Sequence, residues 1–158
     1  MSVYLKKAEI EDCPSILDML HDLGHSDGVK EIHTSEEDLR ANFFSDNPVA
    51  YAMLIVVRGS VAGFLIYSWK WATFTGQREM YMQAIYIRPE HRRKGVARSA
   101  MSELASIALK SGCSRIEWYV VKDKSMSNGF YESIHSHVLE HMAIRRVSGE
   151  ALSELSRS

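Results

Sequence analysis

Cysteine is nearly absent from this chain. Cys13 and Cys113 are the only two in 158 residues, and neither sits at CxxC or Cys/His spacing. A disulfide framework and a cysteine-built metal site are thereby excluded, and two buried thiols in a reducing compartment are expected. Charge of one sign is missing too: Lys plus Arg number 19 against 20 Asp plus Glu, a formal net charge of -1. No global field therefore recruits nucleic acid or an anionic membrane, and any anion site must be local. No apolar run approaches the roughly 18 residues of a membrane span. Val3–Leu5 is soon followed by Lys6, Lys7 and Glu9, so no secretory segment is expected, and the cytoplasm is the expected address. Seven histidines are scattered without metal spacing, so no metal is expected. GxGxxG and GxxxxGK[ST] are both missing, which argues against a dinucleotide fold and a P-loop.

What is present is 46% apolar and 25% charged sequence, enough for one compact domain over residues 1–158 with a self-sufficient core. "SVYLKK" reads as a strand. "EDCPSILDMLHDLG" reads as a helix with Asp12 as N-cap and Gly24 as terminator, and "TSEEDLRANFF" as a second, with Thr34 and Glu37 at capping-box spacing. "AYAMLIVV", "RGS" and "VAGFLIYSWKWATF" form a hairpin signature, followed by a strand "REMYMQAIYI" that ends at Pro89. From Gly95 to Gly112 apolar residues recur at three and four, the period of an amphipathic helix. "RIEWYVV" predicts a buried strand, "SMSNGFYESI" a short helix, "HVLEHMAIRRV" a further strand and "SGEALSEL" a final turn or helix. The hairpin and the strand–helix–strand unit over 80–121 together predict an α/β domain whose mixed, mostly antiparallel sheet is flanked by helices.

One junction stands out. "IRPEHRRKGVARSAM" packs Arg92, Arg93, Lys94 and Arg98 around Gly95 where a strand gives way to a helix. The first N–H groups of a helix lack intrahelical acceptors and the dipole adds positive potential there, so an anion is a natural partner. Phosphate suits it best, with Gly95 and the small Ala97 permitting close approach. On charge alone a solvated basic face, or a nucleic-acid patch, would account for the same residues.

The pattern Arg92-x-x-Gly95-x-Ala97, directly after "RPEHR", resembles the R/Q-x-x-G-x-G/A signature of the GNAT N-acetyltransferase superfamily. The central hairpin, "RIEWYVV" and "NGFYESI" resemble further parts of it. "HTSEEDLRANFF", "GFLIYSWKWATFTG" and "RRVSGEAL" are similar to the diamine and polyamine branch, which includes enzymes of the spermidine/spermine type. The resemblance implies a GNAT fold with acetyl-CoA as co-substrate. The main chain of Ile85, Tyr86 and Ile87 would meet the pantetheine arm, and residues 93–98, Val96 among them, would lie under the pyrophosphate. Tyr131 would protonate the departing thiolate. It also implies a homodimer.

Two departures bear on chemistry. Where the branch has "Y-L-E-D", this chain has Tyr81, Met82, Gln83 and Ala84, and glutamine cannot take a proton at neutral pH, although its carbonyl can accept an N–H. Where the branch has "N-E-P", it has Lys124, Ser125 and Met126, and Lys124 could serve the cofactor phosphates. Strand alternation puts Glu79 on the face of Gln83, unless a bulge intervenes, so Glu79 is a candidate for the missing carboxylate. Asp27, Glu31 and His33 are further candidates to line the acceptor pocket. The expected activity is acetyl transfer to a primary amine of a small molecule, diamine-, polyamine- or amino-acid-like, by direct attack in a ternary complex. The alternative is an acyl-CoA-binding sensor with little turnover.

Overall fold

The computed structural model describes residues 2–122 and 125–157, in two compact units, Met1–Val121 and Lys122–Ser158. The first holds the sheet. Strands β1 (Val3–Lys7), β2 (Tyr51–Val57), β3 (Ser60–Ala72), β4 (Gln77–Ile87) and β5 (Cys113–Glu117) lie side by side in sequence order. The first three pairings are antiparallel, and β4 with β5 is parallel, as the crossover requires. Between β2 and β3 the chain turns on Arg58 and Gly59, both at positive φ (50° and 81°), the backbone twist that a two-residue hairpin favours.

Helices α1 (Cys13–Ser26) and α2 (Glu36–Phe43) cover one face of the sheet, and α3 (Val96–Lys110) covers the other. On the first face Ile16, Met19 and Leu39 pack against Ala52, Leu54, Val56, Phe64, Ile66 and Tyr86. The alternate residues Met53, Ile55 and Leu65 are buried as well, as are Ala100, Leu104 and Ala108 of α3. Burial on both faces is why β2 and the start of β3 read as near-continuous apolar runs. Each fully buried Val, Leu, Ile, Phe or Met among them contributes about 1.5–3 kcal/mol. Glu103 of α3 accepts the Leu5 N–H at 2.8 Å, fastening the helix to β1.

Several boundaries differ from expectation. Helix α1 continues past Gly24 to Ser26 and ends where Gly28 takes a positive φ of 75°. Gly24 is instead a packing residue, since a Cβ there would lie 2.3 Å from Ile32 Cδ1. The capping box of α2 is Ser35 with Asp38, one residue beyond the Thr34–Glu37 pair. Strand β5 begins at Cys113 and stops at Glu117, so 118–121 of "RIEWYVV" are not strand, and Tyr119 and Val121 are exposed. The second unit contains α4 (Ser125–Ser133) and α5 (Gly149–Leu155). The stretch 137–147, expected as a further strand, forms none: no other strand pairs with it among the described residues, and Val138, Met142 and Ile144 are exposed. None of the described helices is long and apolar enough to cross a membrane.

Candidate active site

Strand β4 carries the site. It pairs with β3 along its whole length, but with β5 only as far as Tyr81, opposite Glu117. From Met82 to Ile87 its other edge has no strand beside it among the described residues. Main-chain groups there are available to an extended ligand, because a strand edge presents unpaired N–H and C=O groups. Ile85, Tyr86 and Ile87 occupy this open stretch.

A bulge interrupts the same stretch. Ile66 faces Ala84 and the next residue, Tyr67, faces Met82, which leaves Gln83 as the extra residue on β4. Gln83 Nε2 donates to Ser68 Oγ at 3.4 Å, and Ser68 pairs with Tyr81. Gln83 therefore shares the face of Tyr81 and Ala84, under α1 and α2. That face opens into a cleft of about 410 Å³ lined by Leu20, Thr34, Asp38, Asn42, Phe43 and Gln83 among others. Asp27, Glu31 and His33 are not among its lining residues; Glu31 and His33 are exposed and face each other at 3.5 Å.

Asp38 and Asn42 were not singled out from sequence. Their spacing of four on an amphipathic helix, with Leu39 turned inward, was the available signal. Ser35 donates to Asp38 Oδ2 from both its Oγ (2.7 Å) and its main-chain N–H (2.8 Å). These hydrogen bonds, the side-chain one first, hold the Asp38 carboxyl below the usual aspartate value, so it is ionised at neutral pH. Asn42 Nδ2 donates to the Asp38 carbonyl at 2.8 Å.

Glu79 lies on the same face, four residues nearer the hairpin tip. It is buried to 2% exposure and meets the Arg115 guanidinium, with Lys70 Nζ at 3.8 Å from its other oxygen. Lys70 also donates to Glu117 Oε2 at 2.8 Å, which raises the lysine above its ordinary value. The Glu79 carboxylate is thus committed to a cluster of ion pairs linking β3, β4 and β5.

At the far end of β4 the chain makes a 3-10 turn at Pro89–His91 and enters α3. Gly95 is the N-cap at φ 76°, a left-handed conformation that glycine adopts without strain, and no side chain caps the helix start. Arg93 also has a positive φ, 59°. The main-chain N–H groups of Val96, Ala97 and Arg98 precede the first intrahelical bond, from Ser99 N–H to the Gly95 carbonyl at 3.0 Å. Val96 is buried, while Arg92, Arg93, Lys94 and Arg98 are exposed. Lys94 Nζ donates to the Glu90 carbonyl at 2.7 Å and Arg92 Nε to the Ile87 carbonyl at 2.7 Å.

In the second unit, Tyr131 sits half-buried on α4 with its ring 5.4 Å from that of Phe130. Its carbonyl accepts from Ser136 Oγ at 2.8 Å, closing the turn after the helix. Lys124 lies outside the described residues. Both thiols are buried, and burial pushes Cys13 and Cys113 up, away from the thiolate form a nucleophile requires. Among the described residues no group of three or more His, Cys, Asp or Glu is placed to hold a metal ion.

An open strand edge running into a basic helix start, beside a cleft lined by both polar and apolar side chains, is an arrangement suited to acyl-carrier chemistry. The chain belongs to the Acetyltransferase (GNAT) family, whose model matches residues 16–135. Among curated proteins it is similar to thialysine N-epsilon-acetyltransferase of Sus scrofa, at 29% identity over 98% of each chain. It is also similar to L-ornithine N5-acetyltransferase NATA1 of Arabidopsis thaliana, at 27% identity over 94% of this chain and 64% of that one. Among solved structures, an integron cassette protein from the mobile metagenome of V. cholerae superposes with a TM-score of 0.82 at 25% identity, covering 100% of this chain and 99% of the other.

Proposed function

We propose that this protein transfers the acetyl group of acetyl-CoA to a primary amine of a small cationic molecule, diamine-, polyamine- or amino-acid-like, by direct attack within a ternary complex. The relatives' names, with thialysine and ornithine as acceptors, support the amino-acid-like end of that range. The observation that carries the reading is the continuity of β4. One strand joins Gln83 in the cleft, the open edge at Ile85–Ile87, and the loop from Arg92 to Arg98.

In this reading the pyrophosphate rests on the N–H groups of residues 95–98, with Arg93, Lys94 and Arg98 supplying positive potential, and Lys124 adding to it. The pantetheine arm lies along the open edge, where main-chain N–H groups polarise the thioester carbonyl. The acceptor enters the cleft, with Asp38 attracting its positive charge. Its ammonium proton leaves to water before attack, because Gln83 does not titrate and Glu79 is held by Arg115 and Lys70. Gln83 accepts an N–H of the neutral amine. The nitrogen lone pair attacks the carbonyl carbon, the C–N bond forms, the C–S bond breaks, and the nitrogen gives up its second proton to water, leaving the neutral amide. The thiolate then takes the proton of the Tyr131 hydroxyl, which is replenished from solvent. We further assign the chain to a single functional domain over 1–158, a homodimer, acting in the cytoplasm.

The test is release of free CoA thiol from acetyl-CoA across diamines, polyamines, lysine analogues and ornithine. Turnover with at least one, reduced about 100-fold or more in Tyr131→Phe, is expected. CoA binding without thiol release above hydrolysis for any amine would replace the enzyme by the acyl-CoA-binding module. Unchanged turnover in Tyr131→Phe at every pH would remove Tyr131 as the acid.

A further inference from the structure

The guanidinium of Arg92 points back along its own chain. Its Nε–H donates to the Ile87 carbonyl at 2.7 Å, and its central carbon lies 5.4 Å from the centre of the Tyr86 ring, within cation–π range. Tyr86 is itself fixed: it is 5% exposed, and its hydroxyl donates to Asp22 Oδ2 of α1 at 3.2 Å. The two Arg92 contacts reach back five and six residues across the 3-10 turn at Pro89–His91 and tie the start of the basic loop to the last residues of β4.

We propose that Arg92 is a positioning residue that sets the shape of the phosphate loop through its hydrogen bond to Ile87, and that its positive charge is incidental to the site. Bond counting sharpens the point. Arginine Nε and glutamine Nε2 stand the same number of bonds from Cα, so glutamine at 92 could make the same bond to the Ile87 carbonyl. Lysine keeps the charge but places its donor one bond farther out and loses the planar group over Tyr86. A charge-based role predicts that lysine substitutes and glutamine fails; the positioning role predicts the reverse. The ligand part of this inference rests on the function proposed above, whereas the loop-shape part does not.

The experiment compares Arg92→Gln with Arg92→Lys in the full chain, by calorimetric titration with CoA and by amide hydrogen exchange of the unliganded protein. Expected is a rise in Kd for CoA of about tenfold for the lysine variant and at most about threefold for glutamine. In the free protein, amides of residues 93–98 should exchange faster in the lysine variant and near the wild-type rate in the glutamine variant. Tighter CoA binding by lysine than by glutamine, or equal Kd values with equal exchange, overturns the proposal. If the wild-type chain binds no CoA, the proposed function fails, and the exchange comparison alone decides the role of Arg92.

Discussion

The Tyr86 hydroxyl donates to Asp22 Oδ2 at 3.2 Å across the boundary between β4 and α1. It is a side-chain hydrogen bond that fastens the strand to the helix. Burial first, and the neighbouring Asp22 second, raise the Tyr86 hydroxyl above its ordinary value, so it remains a donor throughout the physiological range. Tyr86→Phe keeps the ring under Arg92 and removes only this bond. A loss of about 1 kcal/mol in urea unfolding is expected, with little further loss on adding Asp22→Asn. Additive losses in the double variant would show that the two groups do not act on each other.

Gly63 faces Ile87 across the β3–β4 ladder, and a Cβ on it would come within 2.0 Å of the Tyr86 carbonyl oxygen. Main chain cannot swing aside as a side chain would. Gly63→Ala should therefore cost about 1–3 kcal/mol and displace the strand that leads to the phosphate loop. Denaturant unfolding measures the first, and the Kd for CoA the second. An alanine variant as stable as wild type would mean the sheet yields there without penalty.

For Asp38 the sign of the pH effect follows from its depressed titration. A carboxyl that ionises more readily when folded stabilises the fold at pH values above its unfolded range and loses that contribution as pH falls through its folded value. Melting temperatures of wild type and Asp38→Ala, compared from about pH 7 to about pH 2, should differ most at the upper end and converge below about pH 4. A gap that is the same size at every pH would rule out the ionised cap.

Restoring a carboxylate at position 83 should strengthen the hold on a cationic acceptor. Gln83→Glu is expected to lower KM for diamines by up to about fivefold at low salt, with the gain disappearing at high salt. Its rate–pH profile should also acquire a new acid limb that the wild type lacks. If KM for diamines rises instead, the amine does not pass residue 83 in its cationic form.

The elements that specify themselves locally could be read from sequence. The hairpin on Arg58–Gly59, the period of α3 and the Gly95 junction each follow from backbone geometry and side-chain spacing. What was misplaced depended on partners distant in sequence. Gly24 has the appearance of a helix end until Ile32 is known to pack on it. Thr34 and Ser35 are both good caps, and the choice between them depends on which following residue reaches back; Asp38 does. The β-branched and apolar residues of 137–147 do not by themselves supply a neighbouring strand. In the candidate site, the basic loop was legible because its residues are contiguous. The cleft was not, because Leu20, Asp38, Asn42 and Gln83 come from three separate elements. The ion pairs that engage Glu79 join positions 70, 79, 115 and 117, a relation no local pattern encodes.

The bulge at Gln83 gives the two halves of β4 independent reading frames. Removing this one residue would straighten the ladder, yet leave 84–87 facing the helices and sheet as they do now and the loop beyond them in register. Deleting Met82 or Ala84 instead would draw Gln83 into the regular alternation. Insertion and deletion at this spot can therefore remodel what greets the acceptor while the grip on the co-substrate is inherited unchanged, a route by which one scaffold can change its amine.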